Sequence, residues 1–291
     1  MKPAPFEYIC PTSLDEAKSL LAAHGDDAKI LAGGQTLVPM MNYRLAGPAL
    51  IVDINEIFEL RLLQADAQGL RLGALVRWAQ LEHDPVVASA NPLLPEAIRH
   101  VAHYQIRNRG TWAGSCAHAD PAAEFQAVAL ACDAVFTIES LSGKRSVTAE
   151  DFFVAPLTTA LEPDEILTEV QFPAWPADRK WAFEEFSFRT GDFAIAGIIT
   201  LIDSPSAAGE QHRCRIVCFG LGDRAIRLHA AEGLLNTDGL SAESIARAAE
   251  VASEEIEPQD DPHASAEYRR AVVKALVGDV LHKALGLEVM T

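Results

Sequence analysis

The sequence is poor in cysteine, and its few cysteines stand far apart. Five cysteines occur among 291 residues and form no C-x-x-C pair: Cys10, Cys116, Cys132, Cys214 and Cys218. An iron–sulfur cluster usually needs four thiolates at close spacing, so we expect any such cluster to lie on another polypeptide. The odd number and wide spacing are typical of reduced thiols in a cytosolic protein.

Positive charge and long apolar runs are also scarce. The chain has 24 Lys and Arg against 41 Asp and Glu, and its net charge of −17 argues against nucleic-acid binding, because phosphate contacts need clustered cations. No stretch approaches the roughly 18 uncharged apolar residues of a membrane span. The segment 1–7 lacks the apolar region of a signal peptide. We therefore predict a cytoplasmic protein.

What the sequence does contain is two short turns that carry glycine. The first, Ala32–Thr36 (AGGQT), follows a predicted strand at Lys29–Leu31 and precedes a predicted helix at Leu37–Arg44. Its glycines permit positive φ and the close approach of an anion, while Gln35 and Thr36 add side-chain donors. The spacing matches neither the G-x-G-x-x-G fingerprint nor a P-loop. Alone, this turn is equally consistent with a tight connection that binds nothing.

The second turn is Thr111–Ser115 (TWAGS), in which Gly110 and Gly114 stand next to hydroxyl side chains that donate hydrogen bonds. Arg107 and Arg109 precede it and either neutralise a phosphate or pair with acids at a domain interface, the commoner arrangement. Two such turns in one small chain predict a diphosphate held between them.

The sequence pattern in the other parts of residues 1–172 predicts small α/β units. Ala49–Ile54 is a continuous apolar run, as expected of a buried parallel strand. His100 and His103 stand three residues apart on a helix predicted over Pro95–Ala102 and its C-terminal end, and we interpret them as structural or surface residues because no third metal ligand is evident. The other predicted elements are Leu14–His24, Leu60–Gln64, Gly69–Leu72, Arg77–His83, Ala122–Cys132, Ala134–Glu139 and Ile166–Phe172.

A domain boundary is predicted at Pro173–Asp178, where two prolines accompany a change in charge. Beyond it, the pattern predicts three strands followed by three helices. The strands are Trp181–Arg189, Ala194–Asp203 and Arg213–Gly220, and the helices are Leu228–Leu235, Ala242–Glu255 and Ala266–Leu285.

Taken together and in order, these motifs resemble one family. AGGQT after a strand, and the run Arg107–Glu124 that contains the second turn, are similar to the FAD-binding medium subunit of the molybdenum hydroxylases, the xanthine dehydrogenase and carbon monoxide dehydrogenase family. Phe186–Ala196, Phe219–Leu228 and Asp261–Arg270 continue the resemblance, which covers nearly the whole chain.

The resemblance implies an α+β fold. Residues 1–177 would form a vanillyl-alcohol-oxidase-like (PCMH-type) FAD-binding domain of two parts, about 1–57 and 58–177. Residues 178–291 would form a small C-terminal flavoprotein domain with a three-stranded antiparallel sheet and helices. FAD would lie at the junction, with its ring towards the C-terminal domain.

The resemblance also implies which residues bind FAD. The two turns would hold the pyrophosphate and the ribityl chain. Glu124 would contact the adenosine half, and Val101 would lie near the adenine. Leu167 and Phe193 would contact the ring, with Asp192 hydrogen bonding nearby. The full predicted set is Lys29, Ile30, Leu31, Ala32, Gly33, Gly34, Gln35, Thr36, Val101, Gly110, Thr111, Ala113, Gly114, Ser115, Glu124, Leu167, Asp192 and Phe193.

Two residues depart from the family pattern. Ala113 replaces the first glycine of T-x-G-G, and its methyl group is tolerated only where φ stays negative. Glu185 falls about where some relatives carry a lysine close to the flavin, which would change the charge near the ring. We read Asp120 as the cap of the helix that begins near Pro121, not as half of an acid–base pair with Glu124.

The function implied is electron transfer. A large subunit with the molybdenum cofactor and a small subunit with two [2Fe–2S] clusters would be the partners, arranged as a dimer of heterotrimers. No side chain of this chain need act as a catalytic acid or base, and no metal site is predicted on it, because the cofactor carries the chemistry. Two alternatives stay open: a stand-alone flavin oxidase on the same fold, and a non-catalytic nucleotide-binding relative.

Overall fold

The computed structural model of the chain describes residues 2–205 and 212–287. The predicted domain limits at residues 1 and 291 lie outside this part. Within it, no helix is long and apolar enough to cross a membrane.

The N-terminal part is built on a three-stranded parallel sheet. Its middle strand is the apolar segment Leu50–Asp53, so the prediction of a buried parallel strand is confirmed. In chain order the elements are β1 (Glu7–Ile9), α1 (Leu14–His24), β2 (Ala28–Leu31), α2 (Leu37–Asn42) and β3 (Leu50–Asp53). The α1 helix starts where the Ser13 side chain accepts a hydrogen bond from the Glu16 amide, and it ends at Gly25 with φ +51°.

A five-stranded antiparallel sheet with short helices follows. Strands at or near the predicted segments Leu60–Gln64 and Gly69–Leu72 pair as a hairpin, whereas the edge strand at Gly143–Thr148 was not predicted. The strands, in spatial order, are β4 (Leu63–Asp66), β5 (Gly69–Gly73), β10 (Ile166–Pro173), β6 (Val135–Ser140) and β7 (Gly143–Thr148). A two-stranded ribbon consists of β8 (Phe153–Ala155) and β9 (Thr158–Thr159).

The helices of this region are short. They are α3 (Trp78–His83), α4 (Pro85–Ala90), α5 (Leu93–Ile98), α6 (Tyr104–Arg107), α7 (Trp112–His118), α8 (Glu124–Ala131) and α9 (Ala149–Phe152). Every residue of α8 is buried, as its nearly all-apolar sequence predicts. The α5 helix ends at Ile98, so the prediction that His100 and His103 share a helix is wrong.

The C-terminal part is a four-stranded antiparallel sheet covered by three helices. The prediction of three strands is wrong, because the two residues Ile226–Arg227 pair with the third strand. The strands are β11 (Lys180–Phe186), β12 (Ala196–Asp203), β13 (Arg213–Phe219) and β14 (Ile226–Arg227), and the helices are α10 (His229–Asp238), α11 (Ala242–Glu255) and α12 (Ala266–Leu285).

Both faces of this C-terminal sheet are buried. Ile199 and Phe219 face the core shared with α8 and the five-stranded sheet, while Ile198 and Ile216 face α10, α11 and α12. Because successive side chains of a strand point to opposite faces, the sheet lies between two hydrophobic cores. Cys214 and Cys218 lie in the second core as free thiols.

Candidate functional site

The first glycine turn connects the carboxyl end of β2 to α2. Gly34 has φ +71°, a conformation that glycine adopts without steric cost. Within the described part of the chain, the amides of the four residues Gly33–Thr36 donate to no protein acceptor. Four consecutive free N–H groups at the end of a parallel strand form a site for an anion.

The second glycine turn is the start of a helix. Thr111 is the N-cap of α7, and its hydroxyl oxygen accepts a hydrogen bond from the Gly114 amide at 3.1 Å. Ala113 and Ser115 lie inside the first helical turn. Ala113 therefore has negative φ, which meets the condition under which alanine can replace the family's glycine.

The two turns are in direct contact. A Cβ atom placed on Gly33 would lie 2.5 Å from the Arg109 carbonyl oxygen and 2.7 Å from the Gly110 Cα atom. Such distances do not occur between real atoms, so only glycine fits at position 33 with the backbones where they are. The two turns thus form one structural unit although 77 positions separate residues 33 and 110.

A pocket of about 310 Å³ opens at this contact. Its lining combines the first turn, with Gly33 and Gly34, and side chains from two other segments; the polar side chains are those of Gln35, Asp53, Asn55 and Arg109. Asn55 was missed by the sequence reasoning, although its position just after β3, at the carboxyl edge of the parallel sheet, is a signal that could have found it.

The two arginines before the second turn differ in their contacts. Arg109 is exposed and lines the pocket. Arg107 instead donates to Glu82 at 2.8 Å and to the Val101 carbonyl at 3.0 Å. Arg109 is therefore the cation available to a bound anion, whereas Arg107 has the structural role.

The residues predicted at the flavin ring lie elsewhere. Leu167 is buried in β10, between β5 and β6. Asp192 and Phe193 lie in the loop between β11 and β12, where the Phe193 side chain is 69% exposed. The neighbouring Gly191 packs on the segment of Val101, since its Cβ would be 2.5 Å from the Ala102 carbonyl oxygen. The β11–β12 loop that carries Asp192 and Phe193 is thus in contact with the segment that carries Val101.

Two acidic side chains are buried between the helices before residue 132 and the C-terminal sheet. The Glu185 side chain is 1% exposed, and its Oε2 atom lies 3.8 Å from His100 Nδ1 without a hydrogen bond. Burial, with a smaller contribution from the charge of Glu124, raises the pKa of Glu185 to about 9. Burial likewise raises the pKa of Glu124 to about 7, and it lowers the pKa of His100.

The Asp120 side chain does not cap α8, so that prediction is wrong. Its carboxylate accepts a hydrogen bond from the Ala122 amide at 2.9 Å, whereas the N-cap of α8 is Ala123, whose side chain makes no capping bond. Asp120 thus closes the turn before the helix.

The donors at the two turns fit a dinucleotide diphosphate. The first turn, with its free amides, and Arg109 line one pocket, and Ser115 lies in the first helical turn of α7. The acid in the lining, Asp53, already accepts hydrogen bonds from Tyr8 and Asn55. An anion there would be met by hydrogen-bond donors and a cation.

Comparison with known proteins identifies the family. Residues 4–175 match the FAD binding domain in molybdopterin dehydrogenase, and residues 181–284 match the CO dehydrogenase flavoprotein C-terminal domain. The chain is 42% identical over 285 residues to the 6-hydroxypseudooxynicotine dehydrogenase complex subunit alpha of Paenarthrobacter nicotinovorans, covering 98% of this chain and 96% of the relative. It is 35% identical over 284 residues to the carbon monoxide dehydrogenase medium chain of Hydrogenophaga pseudoflava, covering 98% of each.

Solved structures agree with this assignment. A chain of the Hydrogenophaga pseudoflava carbon monoxide dehydrogenase superposes with a TM-score of 0.93 at 36% identity, covering 98% of this chain and 99% of that one. A chain of quinoline 2-oxidoreductase from Pseudomonas putida 86 gives 0.91 at 37% identity, with the same coverage. The chain belongs to the FAD-binding medium subunits of the molybdenum hydroxylase family, and it is an oxidoreductase subunit.

Proposed function

We propose that this chain is the FAD-carrying electron-transfer subunit of a molybdenum-containing hydroxylase or dehydrogenase. The observation that carries the proposal is the contact between the two glycine turns, which brings free amides and Arg109 to one pocket. Bound FAD supplies the redox chemistry, and the protein supplies its binding and its electrostatic surroundings.

The residues proposed to hold the pyrophosphate and the ribityl chain come from both turns. The first turn and the end of β2 contribute Lys29, Ile30, Leu31, Ala32, Gly33, Gly34, Gln35 and Thr36. The second contributes Gly110, Thr111, Ala113, Gly114 and Ser115. Gly114 is exposed beside the cap of α7, so this helix start is open to a ligand.

The other predicted contacts remain part of the proposal. Val101 and Glu124 would face the adenosine half, and Leu167, Asp192 and Phe193 the ring. We also propose the domain division near residue 177, with FAD at the junction.

The proposed partners follow from the family. A large subunit would carry the molybdenum cofactor and a small subunit two [2Fe–2S] clusters, from which electrons would pass through this chain to a terminal acceptor. The assembly would be a cytoplasmic dimer of heterotrimers. The relatives named as a medium chain or as a subunit of a dehydrogenase complex support such an assembly.

The test is to purify the chain alone and together with its partner subunits. We expect one FAD per chain, no oxidation of organic substrates by the chain alone, and electron transfer from a chemical reductant to a dye. Protein that takes up no FAD would contradict the proposal. So would a chain that oxidises a small organic substrate without any partner, because that is the behaviour of a stand-alone oxidase.

A further inference from the structure

Two consecutive peptide groups of the first turn are held by side-chain amides. The Asn55 Nδ2 atom donates to the Ala32 carbonyl oxygen at 2.8 Å. The Gln35 Nε2 atom donates to the Gly33 carbonyl oxygen at 3.0 Å. Both side chains are half-buried and both line the pocket.

These bonds fix the direction of two free N–H groups. In a planar trans peptide, the C=O of one residue and the N–H of the next point in opposite directions. Both peptides are trans. The bond to the Ala32 oxygen therefore fixes the direction of the Gly33 N–H, and the bond to the Gly33 oxygen fixes that of the Gly34 N–H. Neither N–H has a protein acceptor in the described part of the chain.

Asn55 is itself held in place from the parallel sheet. Asp53, the last residue of β3, accepts hydrogen bonds through Oδ1 from the Asn55 backbone at 3.0 Å and from the Asn55 side chain at 2.6 Å. Its Oδ2 atom accepts from the Tyr8 hydroxyl at 2.5 Å, and this hydrogen bond is the largest cause of the raised pKa of Tyr8. The direction of the Ala32–Gly33 peptide is thus set from the end of β3, through Asp53 and Asn55.

We propose that Asn55 and Gln35 are positioning residues that hold the amides of Gly33 and Gly34 towards the diphosphate of the cofactor. This inference rests on the proposed function. Glycine peptides rotate easily, and a rotated peptide would present a carbonyl oxygen to the phosphate in place of an N–H. The two side-chain amides prevent that rotation, so they act through the turn and need not touch the ligand.

The experiment uses uncharged variants of similar shape that cannot donate, Asn55→Leu and Gln35→Met, in the full chain. FAD affinity is measured by titration of flavin fluorescence, and the pyrophosphate environment by the phosphorus NMR signals of bound FAD. Loss of one such hydrogen bond should weaken FAD binding about five- to tenfold. We also expect the phosphorus signals to shift or broaden, which a general loss of stability would not produce.

Tyr8→Phe is the matched control, because it removes a bond of the same network that does not reach the turn. We expect less than about a twofold change in affinity for it. Wild-type affinity and unchanged phosphorus signals in both Asn55→Leu and Gln35→Met would overturn the inference while leaving the proposed function intact. An equal loss in Tyr8→Phe would also overturn it. A wild-type chain that binds no FAD would instead overturn the proposed function.

Discussion

The two glycine turns look alike in sequence but are built differently. The first is an irregular loop in which Gly34 has positive φ and four amides have no acceptor among residues 2–205 and 212–287. The second is the capped start of a helix, where Ala113 takes helical dihedral angles and the Gly114 amide bonds to Thr111. The first turn thus depends on glycine for its conformation, whereas the second depends on its cap.

The contact between the turns explains which glycine cannot be replaced. Gly33 faces the backbone of Arg109 and Gly110, which cannot move away as a side chain can. At Gly114 an added Cβ would meet only the Thr111 hydroxyl oxygen, at 3.1 Å. Position 33 of the first turn therefore accepts only glycine, whereas position 114 of the second turn has room for a methyl group.

The largest effect is expected for Gly33→Ala. Its methyl group would force the two turns apart, and strain of about 1–3 kcal/mol corresponds to about 10- to 100-fold weaker FAD binding. Gly114→Ala is the matched variant of the second turn and should weaken FAD binding less than Gly33→Ala does, because its methyl group meets no backbone atom of the first turn. Fluorescence titration of both variants measures the difference. Equal losses of FAD affinity in the two variants would show that the first turn is no more constrained at its glycine than the second.

A smaller effect is expected for Thr111→Val, which removes the cap of α7. We expect a loss of about 1 kcal/mol in the free energy of unfolding, together with weaker FAD binding, because the start of α7, which carries the proposed contacts Gly114 and Ser115, is no longer held by its cap. Thr148→Val, which removes the equivalent cap of α9, is the control. It should lose similar stability in urea unfolding and retain its FAD affinity. FAD binding that follows stability in both variants would show that the second turn has no specific role.

A still smaller effect is expected for Ala113→Gly, which restores the family's double glycine. Because Ala113 is helical, glycine there should lower the free energy of unfolding by about 0.5–1 kcal/mol. It should not improve FAD binding, since no positive φ is needed at this position. Urea unfolding and fluorescence titration measure both quantities. Markedly tighter FAD binding would mean that the methyl group obstructs the cofactor.

Glu185→Gln should leave the effect of the turn substitutions on FAD affinity unchanged. It should alter only the pH dependence of the free energy of unfolding. The pKa of Glu185 rises from its ordinary 4.5 to about 9 on folding, so the folded chain holds an extra proton between these pH values. Stability therefore falls as pH rises through this window, by at most about 1.4 kcal/mol per pH unit for one proton. In Glu185→Gln, urea unfolding at pH 6 and pH 8 should show a shallower fall. Parallel slopes would contradict the assignment.

Most helices and strands whose pattern of apolar residues reflects their burial were predicted from the sequence. Leu50–Val52 is apolar because both faces of β3 are covered, and α8 is nearly all apolar for the same reason. The strand Gly143–Thr148 was missed because it is an exposed edge strand without alternating apolar residues. The strand Ile226–Arg227 is too short to give any pattern.

The candidate site was predicted in part. Both turns were found because glycine and small polar residues mark them locally. The contact of Gly33 with Gly110 and the bond from Asn55 to Ala32 join segments far apart in the chain, and only the folded structure brings them together. The end of α5 before His100 was missed because the apolar pattern continues through Val101.

The most direct test of the account is the FAD content of three purified proteins: the wild type, Ala113→Gly and Gly33→Ala. The account predicts about one FAD per chain in the first two, from the ratio of flavin absorbance to protein, and little or none in Gly33→Ala with its fold retained by circular dichroism. A wild-type chain that takes up no FAD would contradict it. A Gly33→Ala chain with its full complement of FAD would contradict it equally, since the contact between the turns would then not form the binding site.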